Sequence, residues 1–169
     1  MATKEIKVER FSIFSSKPFG EVVKALEGSV GQPNMNTFMS DVISAKSFTD
    51  LEKMVHAATG PSGLMQFMRF DLGEIVRKER GDSAPRSLRY LIGKPLIMKQ
   101  TLERSPDAGS YAPVTILVDE RPDGVRLSYD RMVSFLAPYG NGEALKVARD
   151  LDAKIETLLS KAAAQRKAP

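Results

Sequence analysis

His56 is the one histidine of the chain, and histidine is the side chain best suited to act as a general base near neutral pH or as a metal ligand. Met35, Met39, Met54, Met65 and Met68 lie near it in sequence, so Met/His ligation of a haem is one chemistry these residues could support. A single histidine cannot build a multi-histidine zinc site. With no cysteine there is no thiolate nucleophile, disulfide or iron–sulfur ligand. We therefore expect no metal site and no resident cofactor. The competing reading of the same residues is structural: His56 sits beside Val55 and Ala57 on a helical pattern, and methionine commonly fills irregular cores.

Two other motifs are weaker. Ser62 in Gly60-Pro-Ser-Gly63 lacks the spacing of a nucleophile elbow and reads as a turn. Gly140-Asn-Gly142-Glu143 could present backbone amides to an anion. It lacks the third glycine and the preceding strand of a dinucleotide fingerprint, and it reads as a helix cap.

The strongest ligand candidates are polar residues at strand ends, where α+β folds often bind small molecules. Tyr129, Asp130 and Arg131 close one strand, next to Tyr111 at the entry of its partner. Arg69 and Asp71 close another strand, and Glu74 follows. If Tyr111, Asp130 and Arg131 line a cleft, the ligand is small and anionic or amphipathic. An acid/base enzyme is the alternative, with Asp71, Glu74 and Asp130 as its carboxylates. That reading needs two of them within about 10 Å of each other around a pocket. No catalytic signature is present, so the reading leans away from an enzyme.

These residues must be positioned by local elements that the hydrophobic spacing predicts. A strand spans 5–16, with Ile6 and Val8 out of phase with Phe11 and Ile13 and a bulge near Glu9-Arg10. Ser15 or Ser16 caps a helix that opens at Lys17-Pro18, carries Phe19, Val22, Val23, Leu26 and Val30, and ends at Gly31. Two short helices follow at 34–44 and 48–58, the second capped by Ser47. Strands are predicted at 64–71 and 86–92, with helices at 72–80 and 95–104 after them. Val114, Ile116 and Val118 face Val125, Leu127 and Tyr129 across a hairpin turned by Pro122-Asp-Gly124. The longest helix runs over 142–164 behind Asn141, with a stripe of Leu145, Ala148, Leu151, Ile155, Leu158 and Ala162.

The order is β-α-(α-α)-β-α-β-α-β-β-α. It predicts an α+β fold: an antiparallel-rich sheet with helices packed on one face. A chain of 169 residues reads as a single domain, here with a helical insertion at about 33–62 and a frayed basic tail at about 161–169. The net charge of +4 comes from 25 basic and 21 acidic residues and is mostly dispersed. The Lys161–Lys167 cluster is too small to argue for nucleic acid. No apolar run approaches the roughly 20 residues of a membrane span. The first ten residues do not read as a secretory signal, so the expected location is the cytoplasm. The open edge of the sheet and the long last helix are the expected homodimer surfaces.

Several segments resemble the family catalogued as domain of unknown function 302. Phe70-Asp-Leu-Gly-Glu74-Ile-Val-Arg-Lys78 is similar to that family's strand leading into a short amphipathic helix. Tyr90-Leu-Ile-Gly-Lys-Pro95-Leu resembles its strand closing on a proline turn, with Lys94 where the family often has asparagine. Gly109-Ser-Tyr-Ala-Pro113 through Glu120 resembles its proline-led strand, with Val114 where many members carry cysteine. Val125-Arg-Leu-Ser-Tyr-Asp130 resembles its Val-x-Val-Ser strand, and Phe14 through Leu26 fits its first strand and helix. The resemblance implies a compact α+β fold and small, often dimeric proteins. It implies no established reaction.

Overall fold

The structure is a computed structural model that describes residues 3–164. Its elements are β1 (Arg10–Ser15), α1 (Phe19–Glu27), α2 (Met35–Ser44), α3 (Phe48–Ala58), β2 (Met65–Asp71), α4 (Leu72–Arg80), β3 (Ser87–Gly93), α5 (Pro95–Leu102), β4 (Val114–Arg121), β5 (Gly124–Asp130), α6 (Met132–Leu136) and α7 (Gly142–Ala163). The five strands form one antiparallel sheet in the order β1-β5-β4-β3-β2. This is the α+β architecture that the spacing predicts.

Period-two alternation in the central strands gives the sheet its two faces. Leu88, Tyr90 and Ile92 of β3, Val114, Ile116 and Val118 of β4, and Val125, Leu127 and Tyr129 of β5 are all buried. They join one core with Phe19, Val22 and Leu26 of α1 and with Ala148, Leu151, Ile155, Leu158 and Leu159 of α7. Each fully buried side chain of this kind contributes roughly 1.5–3 kcal/mol. The β4–β5 turn closes at Gly124, whose φ of +136° is a conformation few other residues adopt. A side chain there would also meet the Phe14 ring.

A smaller core forms where α2 and α3 meet the start of β2. It contains Phe38, Val55 and Met65, with Leu96 and Phe67 packed against it. Asn34 and Ser47 cap these two helices through the amides of Thr37 and Asp50. Asn141 caps α7 through Ala144.

Three local expectations are corrected. The first strand begins at Arg10, not near residue 5. Helix α1 begins at Phe19 behind Pro18 with no side-chain cap, and it ends at Glu27 with Gly28 as its cap. Ser15 is engaged elsewhere, because its hydroxyl donates to the Ala163 carbonyl at 2.8 Å. The same contact corrects the start of the tail: 161–163 is helix, with Ala162 and Ala163 buried. The rest of the expected tail, 165–169, lies outside the described residues.

Strand β2 departs from the pattern of its neighbours. Its register shifts between Gln66 and Met68, so Phe67 is an extra residue in the strand. One extra residue exchanges the two faces for everything after it. Arg69 consequently pairs with the inward-facing Tyr90, and Asp71 with Leu88. Met68 and Phe70 pair with Leu91 and Arg89 on the opposite, uncovered face and are exposed. The bulge thus turns two charged residues toward the helix layer and two large apolar ones toward solvent.

Candidate ligand-binding site

The inverted end of β2 forms one wall of a cleft of about 560 Å³. Phe19, Val23 and Leu88 supply its apolar surface, and Arg69, Asp71, Arg77, Asp82, Arg86 and Glu120 supply its charge. Each group is placed by a local feature. Asp71 ends β2 and caps α4 by accepting the Glu74 amide at 2.8 Å. Arg77, two turns into α4, donates to Asp71 at 3.1 Å and to Glu74 at 2.8 Å. Arg86 precedes β3, and the β3–β4 register brings it beside Glu120.

Arg86 grips both oxygens of Glu120, from Nε at 3.1 Å and from Nη2 at 2.6 Å. Its guanidinium carbon lies 4.7 Å from the centre of the Phe19 ring. Arg69 donates to Glu27 at 3.1 Å, and the Tyr90 hydroxyl donates to the same oxygen at 2.7 Å. Burial, then the hydrogen bond to Glu27, pushes the Tyr90 hydroxyl well above its ordinary value, so it remains a donor. A guanidinium carries five N–H groups. The carboxylates engage Nε and Nη2 of Arg77 and Arg86, and the Nη1 groups hold no carboxylate among the described residues. The cleft therefore combines an apolar floor with three guanidinium groups and three carboxylates.

The Arg86–Glu120 pair makes a pH prediction. Arg86 hydrogen-bonds the charged form of Glu120 and holds its carboxyl below the usual range. A depressed folded-state value adds stability above the unfolded value, near 4.3, and that stability is lost as pH falls through the folded value. Urea unfolding should show the advantage of the native chain over Glu120→Gln shrinking from about pH 5 to pH 3. Because the pair is partly exposed, the advantage should stay under about 1 kcal/mol at neutral pH.

The residues singled out from the sequence do not converge on one place. Arg69 and Asp71 line the cleft just described. Tyr111 and Asp130 line a separate hollow of about 450 Å³ with Arg89, Leu91 and Phe135. There Tyr111 stacks on Phe135 with ring centres 4.7 Å apart and shares its hydroxyl with Tyr139 at 2.9 Å. That bond raises the Tyr139 hydroxyl to about 12. Asp130 is held by Arg10 at 2.6 and 2.8 Å.

Tyr129 is a correction. It faces the core, is 1% exposed, and gives its hydroxyl to Asp152 of α7, so no ligand reaches it. Arg131 is another. Its guanidinium donates to Glu156 at 2.7 Å and to Glu9 at 3.3 Å, tying the N-terminal segment to α7. Of the three carboxylates named for an acid/base enzyme, two are brought together and one stands apart. Asp71 and Glu74 share Arg77, but Asp130 lies on β5, three strands from β2 in the sheet. Three strand spacings are about 14 Å, beyond the separation of a two-carboxylate site.

His56 lies in a third cleft, lined by lysines. No methionine lines that cleft, so Met/His ligation of a haem finds no partner among the lining residues. No group of three or more histidine, cysteine or acidic side chains placed to hold a metal occurs among the described residues. Likewise, no helix among them is long and apolar enough to cross a membrane.

Reasoning from sequence missed Phe19, Arg77, Arg86 and Glu120. Arg77 carried a usable signal, since it falls three residues after Glu74 on the predicted 72–80 helix, which Asp71 immediately precedes. Arg86 and Glu120 carried none, because only the strand register brings them together.

The model of the family described as "Domain of unknown function DUF302" matches residues 40–162. Among solved structures, the chain is similar to the uncharacterized conserved protein DUF302 from Bacillus stearothermophilus. The TM-score is 0.64 at 10% sequence identity, over 90% of this chain and 97% of that one. This likeness is one of fold. No curated protein matches the sequence.

Proposed function

The chain belongs to the DUF302 family, whose description carries no activity, and from its geometry we propose a non-catalytic, homodimeric domain that binds a small amphipathic anion in the α1–β2–α4 cleft. The observation that carries this reading is the inversion of β2. It places Arg69 and Asp71, with Arg77 and Arg86, around an apolar floor of Phe19, Val23 and Leu88. A carboxylate or phosphate head accepts from the free guanidinium N–H groups, and an apolar body covers Phe19 and Val23. The carboxylates in the cleft are occupied as helix cap and ion-pair partners, which supports binding over acid/base chemistry.

The same inversion supports the homodimer. Of the ten large apolar residues that are exposed among the described residues, five fall between 68 and 76: Met68, Phe70, Leu72, Ile75 and Val76. The apolar stripe of α7, in contrast, is used within the chain. Helix α4 is acidic at its start, with Glu74, and basic at its end, with Lys78 and Arg80. A two-fold axis that sets two copies of α4 antiparallel brings each acidic end to the other's basic end around Leu72, Ile75 and Val76. We place the protein in the cytoplasm on its cysteine-free composition.

Two measurements test this reading. Octyl phosphate at about 100 times its dissociation constant should stabilise the protein by about 2.7 kcal/mol, and Arg86→Met should abolish the shift. An unchanged melting temperature would count against the cleft. Sedimentation equilibrium should give a dimer mass for the native chain and a monomer mass for Ile75→Glu. A monomeric native chain would remove the dimer.

A further inference from the structure

The cleft beside His56 is a second site with a different chemistry. It encloses about 480 Å³ between one face of α3 (Phe48, Glu52, His56), the start of α5 and Lys154 of α7. Lys94, Lys99 and Lys154 set three ammonium groups against one lining carboxylate, Glu52. Of the three, Lys99 is paired, with Glu103 at 2.5 Å, and it also lies over the Phe48 ring. Lys94 and Lys154 have no ion-pair partner among the described residues.

Two side-chain nitrogens meet in the cleft. Lys94 Nζ lies 3.4 Å from His56 Nδ1, with no carboxylate at either. For Lys94 to donate, His56 Nδ1 must accept, and the ring proton then sits on Nε2, which becomes a second donor. Lys94 also occupies the cap position of α5, where no side chain caps the helix. Pro95 has no N–H, and the amides of Ile97 and Met98 both return to the Lys94 carbonyl. That leaves the Leu96 amide without a partner inside the helix. Two ammonium groups without a carboxylate partner, an imidazole and the amide end of α5 thus border one concave space. Lysine binds phosphate as a mobile point charge, which suits a compact multivalent anion better than a planar carboxylate.

We infer that this cleft is a phosphate-binding site, with Lys94, Lys154 and His56 as the groups that hold a compact phosphate or diphosphate. It is independent of the arginine cleft, with which it shares no lining residue. Its ligand needs no apolar body.

Inorganic pyrophosphate, titrated calorimetrically and by amide NMR at low salt, is the probe. The native protein should bind it saturably, and the Leu96 amide should be among the resonances that move. Lys94→Met and Lys154→Met should each weaken binding at least tenfold, and Arg86→Met in the other cleft should leave it unchanged. Lys154 is exposed on α7, so its variant keeps the test available if Lys94→Met fails to fold. Absence of saturable binding, or native affinity in the Lys154→Met protein, would overturn the site. Loss of pyrophosphate binding in Arg86→Met alone would also overturn it, by assigning the anion to the arginine cleft.

Discussion

Replacing Asp152 with alanine should remove roughly 3–5 kcal/mol of stability, a large part of the 5–15 kcal/mol available to a domain. Asp152 is 5% exposed, on α7. Its carboxylate accepts the Tyr129 hydroxyl and the Met132 amide on one oxygen and the Val133 amide, at 3.1 Å, on the other. The two amides open α6, which has no side-chain cap of its own. Asp152 therefore joins the end of β5, the start of α6 and the middle of α7. Burial pushes its carboxyl above the usual range, against the Tyr129 hydroxyl and the two amides that pull it down. Truncation strands the buried Tyr129 hydroxyl and the partly buried Val133 amide and leaves the Met132 amide only its longer bond to the Tyr129 oxygen at 3.1 Å, each lost partner costing about 1–3 kcal/mol unless water replaces the carboxylate. Tyr129→Phe removes one donor together with its need for a partner and should cost only about 1 kcal/mol. In the Asp152→Ala background the cost of Tyr129→Phe should differ from its cost in the native chain, since the bond to Asp152 is gone and the Tyr129 oxygen is then the acceptor left to the Met132 amide. Urea midpoints of the four proteins check this. Strict additivity would contradict the network.

Gly31→Ala should be the most damaging single methyl in the chain, costing more than about 3 kcal/mol through forced backbone movement. A Cβ at Gly31 would stand 1.8 Å from the Ala58 carbonyl oxygen and 2.9 Å from the Gly60 amide nitrogen. Both contacts are backbone, so no side chain can swing away. Gly31 is also bonded where it sits: its amide donates to Leu64 at 2.9 Å, and its carbonyl accepts from Gln66 at 2.8 Å. The residue holds the end of α3 against the first residues of β2 and so fixes where the α2–α3 pair docks. Hydrogen exchange should show the gain in exposure at Gln66 and in α3, with β4 and β5 least affected. A variant with native melting temperature and native exchange at Gln66 would refute the close approach.

What was legible in the sequence was what local spacing dictates. The β4–β5 hairpin follows from Pro122-Asp-Gly124 between two alternating runs, and α7 follows from Asn141 and a long stripe at helical period. What was not legible depended on partners far along the chain. Ser15 has the chemistry of a cap, but Ala163 claims its hydroxyl. Tyr129 has the look of a strand-end ligand group, and only the packing of α7 shows that Asp152 buries it. The site itself turned on Phe67. Without the bulge, Met68 and Phe70 would face the core and Arg69 would face solvent, so no reading of alternation alone could assign that wall. Arg69 and Asp71 were found for a generic reason, their place at a strand end. Arg86 and Glu120, which complete the cleft, are 34 residues apart and meet only through register.

The binding cleft is tested most directly by an amide NMR titration with octyl phosphate on the native chain and on the Arg77→Met, Arg86→Met double variant. Saturable shifts should concentrate at Phe19, Gly20, Val23, Ala84 and Leu88, residues that line the cleft, and should vanish in the variant. Shifts that fall elsewhere, or that persist without the two arginines, would contradict the assignment of this cleft as the binding site.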